Sequence, residues 1–262
     1  MSDNKERFAF GENWQAFSKR LTQDDYLAAK RSLHELVDDL NGKTFLDIGC
    51  GSGLFSAAAS ALGAKCVLGF DIDSQSVQTS GVVLEKAVEW DPSIKKDSVD
   101  FKVESILNHS MQSNKYDVVY SWGVLHHTGN MYAAFDAVTK MVADKGLLVI
   151  AIYNKHFTSP IWKGIKYIYN KSTRIIRKFL VYLVLVPKFI AALLIQRENP
   201  LKRGRGMHYY NDIVDWVGGY PYEYASVEEV TNFFESRGFK LRKLLRTKGF
   251  TGCNQYVFEK VI

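Results

Sequence analysis

Three cysteines in 262 residues, Cys50, Cys66 and Cys253, are too few and too irregularly spaced for a disulfide framework or a cysteine metal site. A reducing, cytoplasmic setting is the expectation. The opening residues, Met-Ser-Asp-Asn-Lys-Glu-Arg, are polar and offer no apolar run for a secretory signal. Long hydrophobic runs are missing as well. The best candidate, Phe179 to Ile195, has 17 residues with Pro187 and Lys188 inside it. That is short of the ~20 uninterrupted apolar residues of a spanning helix. The expected location is therefore cytoplasmic, at most peripheral to the inner face of a membrane. No metal is expected either, because the adjacent His126 and His127 have no third ligand in view. What remains is ordinary: 47% hydrophobic and 24% charged residues suit a soluble globular chain. The length fits one large domain or a domain with a cap.

The most informative stretch is Phe45 to Gly53, Phe-Leu-Asp-Ile-Gly-Cys-Gly-Ser-Gly. An apolar strand-like run ends in three alternate glycines, which let the backbone turn tightly and let a ligand reach main-chain N–H groups. A helix-like segment, Leu54 to Leu62, follows. A second strand, Lys65 to Phe70, then delivers Asp71 to the same sheet edge, where acidic residues grip ribose hydroxyls. Two nucleotide patterns fail. A dinucleotide loop needs glycine where Leu54 stands, and a phosphate loop ending at Gly42-Lys43-Thr44 needs glycine where Val37 stands.

Further along, Thr22 and Asp25 mark a helix start. Apolar positions continue at helical spacing to Leu40, and Asn41-Gly42 stops them. A helix from Ser74 to Trp90 follows, then strands Val99–Val103 and Tyr116–Ser121, a helix Tyr132–Met141 and the strand Leu147–Ile152. This alternation predicts an α/β, doubly wound, mostly parallel sheet. Ser226 with Glu229 predicts a capped helix to Arg237. Lys240–Thr247 and Gln255–Val261 are the last strands, with Gly249 to Gly252 between them.

Asp47-Ile-Gly-Cys-Gly-Ser-Gly53 and Gly69-Phe-Asp71-Ile-Asp73 resemble the first two motifs of the class I S-adenosylmethionine-dependent methyltransferases. Val103-Glu-Ser105-Ile106 and Tyr116 to His127 stand where that family's adenine segment and fourth strand fall. The resemblance covers about Phe8 to Ile152 and the last strands. It implies a Rossmann-like, seven-stranded sheet closed by an antiparallel hairpin, with S-adenosyl-L-methionine as cofactor. It also implies that Asp47 faces the ammonium or the loop N–H groups, and that Gly49, Gly51 and Gly53 let the methionine and ribose lie on the backbone. Asp71 then binds the ribose hydroxyls, Ser105 and Ile106 contact adenine, and Ile72 and Ser121 also belong to the cofactor site. Ser105 departs from the acidic residue often found there. Trp14, in the aromatic segment Phe8 to Phe17, is a candidate lid residue; a helix packed on the sheet is the alternative.

Methyl transfer to a hydroxyl or an ammonium calls for a base, and His126 and His127 follow the fourth strand. Adjacent residues point apart, so at most one serves. Tyr153, Asn154, His208 and Tyr209 are candidates for an acceptor pocket. From Lys155 to Gly206 the chain holds twelve basic residues and one acidic, a balance of +11 that leaves −5 for the rest. Residues 162–195 read as one or two basic amphipathic helices halted near Pro187. They form either a cap over the acceptor or a helix on a membrane surface. The expected organisation is a lid at 1–42, a cofactor core at 43–154, a helical insertion at 155–225 after the fifth strand, and a C-terminal helix and hairpin at 226–262.

The expected activity is O-methylation of a small-molecule acceptor: a sugar, a quinone-like compound or a phosphorylated metabolite. The alternatives are a tRNA-modifying methyltransferase or a non-catalytic, membrane-docking relative. No RNA-binding module accompanies the basic patch, so nucleic acid is not the expected partner.

Overall fold

In the computed structural model, which describes residues 8, 10–108, 114–194, 209–247 and 252–261, seven strands form a single sheet. The chain runs α1 (Phe10–Ser18), α2 (Gln23–Leu36), β1 (Thr44–Ile48), α3 (Leu54–Ala61), β2 (Cys66–Asp71), α4 (Ser74–Trp90), β3 (Val99–Val103), β4 (Tyr116–Trp122) and α5 (Met131–Met141). It continues through β5 (Val142–Tyr153), α6 (Ser159–Lys171), α7 (Arg174–Leu194), α8 (Tyr209–Gly218), α9 (Val227–Glu235), β6 (Phe239–Leu245) and β7 (Cys253–Lys260). Strand order is β3-β2-β1-β4-β5-β7-β6. The first five strands are parallel and β7 is antiparallel to both its neighbours. This is the doubly wound, mostly parallel α/β architecture expected, with α6 to α8 inserted after the fifth strand.

Period-two burial builds the two faces. Leu46, Ile48, Leu148, Ile150 and Ile152 face α5 and α9 through Phe135, Val138, Val230 and Phe234. Phe45, Val118, Tyr120 and Val149 face α2 and α3 through Leu33, Ala58 and Ala59. Each large apolar side chain buried this way contributes roughly 1.5–3 kcal/mol. Helix starts follow local chemistry. Thr22 with Asp25, and Ser226 with Glu229, form reciprocal capping boxes, and Asp73 caps α4.

Three details differ from the sequence expectation. Helix α2 ends at Leu36, yet Val37 and Leu40 stay buried in an extended segment, so the apolar spacing outlasts the helix. Strand β5 starts at Val142, where a register shift carries its pairing with β4 past the polar residues Asp144 and Lys145. Pro187 does not halt α7 but sits inside it. The lost N–H and ring clash cost about 3 kcal/mol, offset by packing of Leu180, Val181, Val184 and Leu185 in the cap cluster with Trp216. Helix α8 falls within the expected helical insertion, where the sequence signals no bounds of its own for it. Strand order reverses between β1 and β4, so their carboxyl ends open a crevice, the usual ligand position in such sheets.

Candidate active site

A cavity of about 820 Å³ occupies that crevice. On one side, the turn after β1 is held down by Gly49 and Cys50, whose N–H groups both donate to the Phe70 carbonyl at 2.8 and 3.0 Å. Gly49 and Gly51 have φ of 69° and 56°, where a side chain is strained. Space is lacking too. A Cβ on Gly49 would lie 2.5 Å from Val124, and one on Gly51 2.7 Å from the Trp14 ring.

Beneath the turn, the buried Asp47 carboxylate accepts from the Ser56 hydroxyl at 2.7 Å. Burial, with the nearby Asp71 charge adding to it, pushes Asp47 up to about 7. Asp71 accepts from the Gly51 N–H at 3.1 Å and the Asp73 N–H at 2.9 Å. It is raised to about 6, mainly by burial. Both carboxyls therefore lie near neutrality in the ligand-free protein, poised for a ligand that donates hydrogen bonds or carries positive charge. Ile72, Ser105 and Ile106 line the adjoining wall together with Glu104.

Helix α1 covers the cavity from outside the sheet. The Gly11 N–H donates to Asp73 at 3.0 Å. Two residues on, the Asn13 amide donates to Asp215 of α8 at 2.7 Å. Trp14, Phe10 and Phe8 line the cavity between these tethers. Helix α1 thus contacts the Asp71 side and the far side at once.

The far side is built by the loop after β4, the end of β5 and the insertion. His127, Tyr153, Lys188, Asp212, Asp215, Trp216, Tyr220 and Cys253 line it. His127 Nδ1 lies 2.6 Å from the Pro221 carbonyl. A carbonyl only accepts, so Nδ1 carries the proton and Nε2 keeps its lone pair. Burial, helped by Lys166, pulls His127 down to about 3, which leaves the ring neutral. Asp215 is pushed the other way, up to about 8, by burial and then by Asp212.

The two histidines do not point apart: their rings pack edge to face with centres 4.5 Å apart, and only His127 lines the cavity. His126 is 0% exposed. Its ring packs 3.9 Å from that of Tyr153 and does not reach the cavity. Ser121 also stays out, donating to the Ile48 carbonyl at 3.2 Å, and Asn154 accepts from Asn254 at 3.0 Å. Tyr209 packs in the cap cluster. Gly53 starts α3 against Ser80 and Phe101. His208 and most of the segment Gly249 to Gly252 lie outside the described residues. Phe10 lies in the aromatic segment and Glu104 in the adenine motif, whereas Lys188, Asp212, Asp215 and Trp216 have no sequence-based site expectation. The one signal for them was Asp212-x-x-Asp215-Trp216, two carboxylates on one face of a short apolar helix.

A family model, the methyltransferase domain, matches residues 21–251. The chain belongs to this family. It is a class I S-adenosylmethionine-dependent methyltransferase. Similar proteins include the ribosomal protein L11 methyltransferase of Colwellia psychrerythraea, 36% identical over 113 residues, which are 43% of this chain and 34% of that one. Its counterpart in Yersinia pestis is 57% identical over 42 residues, 16% of this chain and 14% of that one. The chain therefore spans about a third or less of these relatives.

Similar solved structures share the fold. One is an S-adenosylmethionine-dependent methyltransferase from Mesorhizobium loti, with TM-score 0.53, 15% identity and coverage of 89% of this chain and 98% of that one. Another is the magnesium protoporphyrin IX methyltransferase of Synechocystis with bound SAH, with TM-score 0.53, 15% identity and coverage of 91% and 82%.

The cofactor is S-adenosylmethionine, and the residues present suit it. The turn has no room for any Cβ at Gly49 or Gly51. Two buried carboxyls with pKa values near neutral pH lie beside it and can accept from hydroxyl or ammonium groups.

Proposed function

We propose that this methyltransferase O-methylates a hydroxyl of a neutral, sugar-like small molecule held between α8 and the loop after β4. Asp71 receives the ribose hydroxyls, Asp47 and the turn at Gly49–Gly51 hold the methionine end, and Ile72, Ser105 and Ile106 pack on adenine. The chemistry that S-adenosylmethionine supplies is an electrophilic methyl on a sulfonium whose sulfur departs as a neutral thioether.

The observation that carries the acceptor reading is Asp215. It is a cavity carboxyl anchored by Asn13 and pushed up to about 8. A base is most useful with a pKa near the working pH, and an ionised Asp215 accepts the proton as the acceptor oxygen is methylated. His127, fixed with Nε2 unprotonated, orients that oxygen as a hydrogen-bond acceptor. Tyr153 and Trp216 give that side of the cavity an apolar wall, their ring faces being covered by His126, Lys166 and Lys188. Holding oxygen and methyl in line contributes roughly 7–11 kcal/mol to such a transfer.

Charge argues for a neutral acceptor. Lys188 is the one lysine or arginine among the described lining residues, and its ammonium already lies 4.7 Å from the Trp216 ring centre. The other described cations of the insertion, apart from the buried Lys166, are exposed, so a phosphorylated acceptor gains no support from them. An ammonium acceptor would compete with Lys188 for Asp212.

Incubation with methyl-labelled S-adenosylmethionine and fractionated cell extract tests the reading. Label in a methyl ether of an uncharged hydroxylated compound is expected. Label in an amine, in RNA or in protein would overturn the acceptor class. Absence of cofactor binding by calorimetry would overturn the catalytic assignment.

A further inference from the structure

The insertion buries one side of α7 and leaves the opposite side bare. Val181 is 2% exposed and packs with Leu180, Val184 and Leu185 in the cap cluster. On the other face, Ile175 is 81% exposed, Phe179 65%, Leu183 58% and Ile190 49%. These recur at spacings of four, four and seven, one helical stripe that continues past Pro187. On α6, Ile161 and Ile168 are exposed as well. Among the described residues, thirteen of the twenty large exposed hydrophobics lie between Phe157 and Leu194, so this is a concentrated patch. Folded monomers seldom leave such a surface facing water.

Charge decides what covers it. Lys163, Lys171, Arg174, Arg177 and Lys178 are exposed on the same two helices. There is no Asp or Glu from Lys155 to Leu194. A second copy seated through a two-fold contact would set this cationic patch against itself. An anionic lipid surface matches it: apolar side chains enter the acyl boundary and cations meet the head groups. Among the described residues, no helix is long and apolar enough to cross a membrane. The helices would therefore lie in the interface plane. We infer that the outer face of α6 and α7 docks this enzyme on an anionic membrane surface.

The test is co-sedimentation of the full chain with vesicles of phosphatidylcholine, with and without phosphatidylglycerol. Binding to the mixed vesicles is expected, weakened by salt and lost in Phe179→Asp with Leu183→Asp. Neutralising Lys171 or Lys178 as glutamine lowers binding roughly fivefold each. These variants change exposed positions only, so cofactor affinity and melting temperature should hold, which separates lost docking from lost folding. No binding to phosphatidylglycerol vesicles at low salt would overturn the inference. So would equal binding to phosphatidylcholine alone, or light scattering that shows a dimer dispersed by the Asp variants.

Discussion

Lowering the pH should disarm the cofactor site before it unfolds the protein. Asp71 and Asp47 sit near 6 and 7 in the ligand-free enzyme, and both are stronger acceptors ionised than protonated. Each pH unit below a group's pKa cuts its ionised fraction about tenfold. At pH 5, Asp71 is then about a tenth ionised and Asp47 about a hundredth. If both must be charged to bind, apparent affinity falls roughly a thousandfold from its value above pH 8. A plot of log affinity against pH is level above 7. On acidification it falls with slope one between 7 and 6, and with slope two below 6.

Asp71→Asn removes one of those protons and two charge-assisted acceptor sites. At roughly 1.5–3 kcal/mol each, before compensation, this weakens binding by a factor of a hundred or more. The substitution also removes the Asp71 charge that helps raise Asp47, so the remaining inflection moves to lower pH. Isothermal titration calorimetry across pH 5 to 9, repeated in buffers of different ionisation enthalpy, counts the protons directly. A Kd independent of pH over this range, or wild-type affinity in Asp71→Asn, would refute the reasoning.

The same burial makes Asp47 a liability for the empty protein. Its folded pKa of about 7 stands above its ordinary 3.8. Its contribution is therefore fully present below about pH 3.8 and lost as pH rises through about 7. Asp47→Asn should raise the ligand-free melting temperature at pH 8, by about 2–4 °C per kcal/mol recovered, leave it unchanged near pH 4, and abolish the shift caused by cofactor. Differential scanning calorimetry reads both. Gly51→Ala places a Cβ at a φ of 56° and 2.7 Å from the Trp14 ring. It should cost at least about 1 kcal/mol of backbone strain and weaken cofactor binding at least tenfold by calorimetry, because α1 can no longer close on the turn.

The donor half was legible because its signals are local. Val99–Val103 matches its strand residue for residue, and the three alternate glycines sit within five positions of one another. The acceptor half depends on distance. Asn13 meets Asp215 across 202 positions, and nothing in either neighbourhood announces the pair. Which of His126 and His127 faces the cavity depends on the turn they occupy, a choice that spacing alone leaves open. Pro187 misled for the opposite reason, since its local penalty was outweighed by the packing of α7 on α8. The basic balance of the insertion left a cap and a membrane-surface helix both open, a choice that depends on where its charges point, and most of the described ones face outward.

The central claim is proton removal by Asp215 from a hydroxyl acceptor. The direct test is the pH profile of kcat at saturating cofactor for wild type and Asp215→Asn. Wild-type turnover should rise tenfold per pH unit to an inflection at or below about 8, while Asp215→Asn is slow and flat. A flat wild-type profile from pH 6 to 9, or undiminished turnover in Asp215→Asn, would contradict the account.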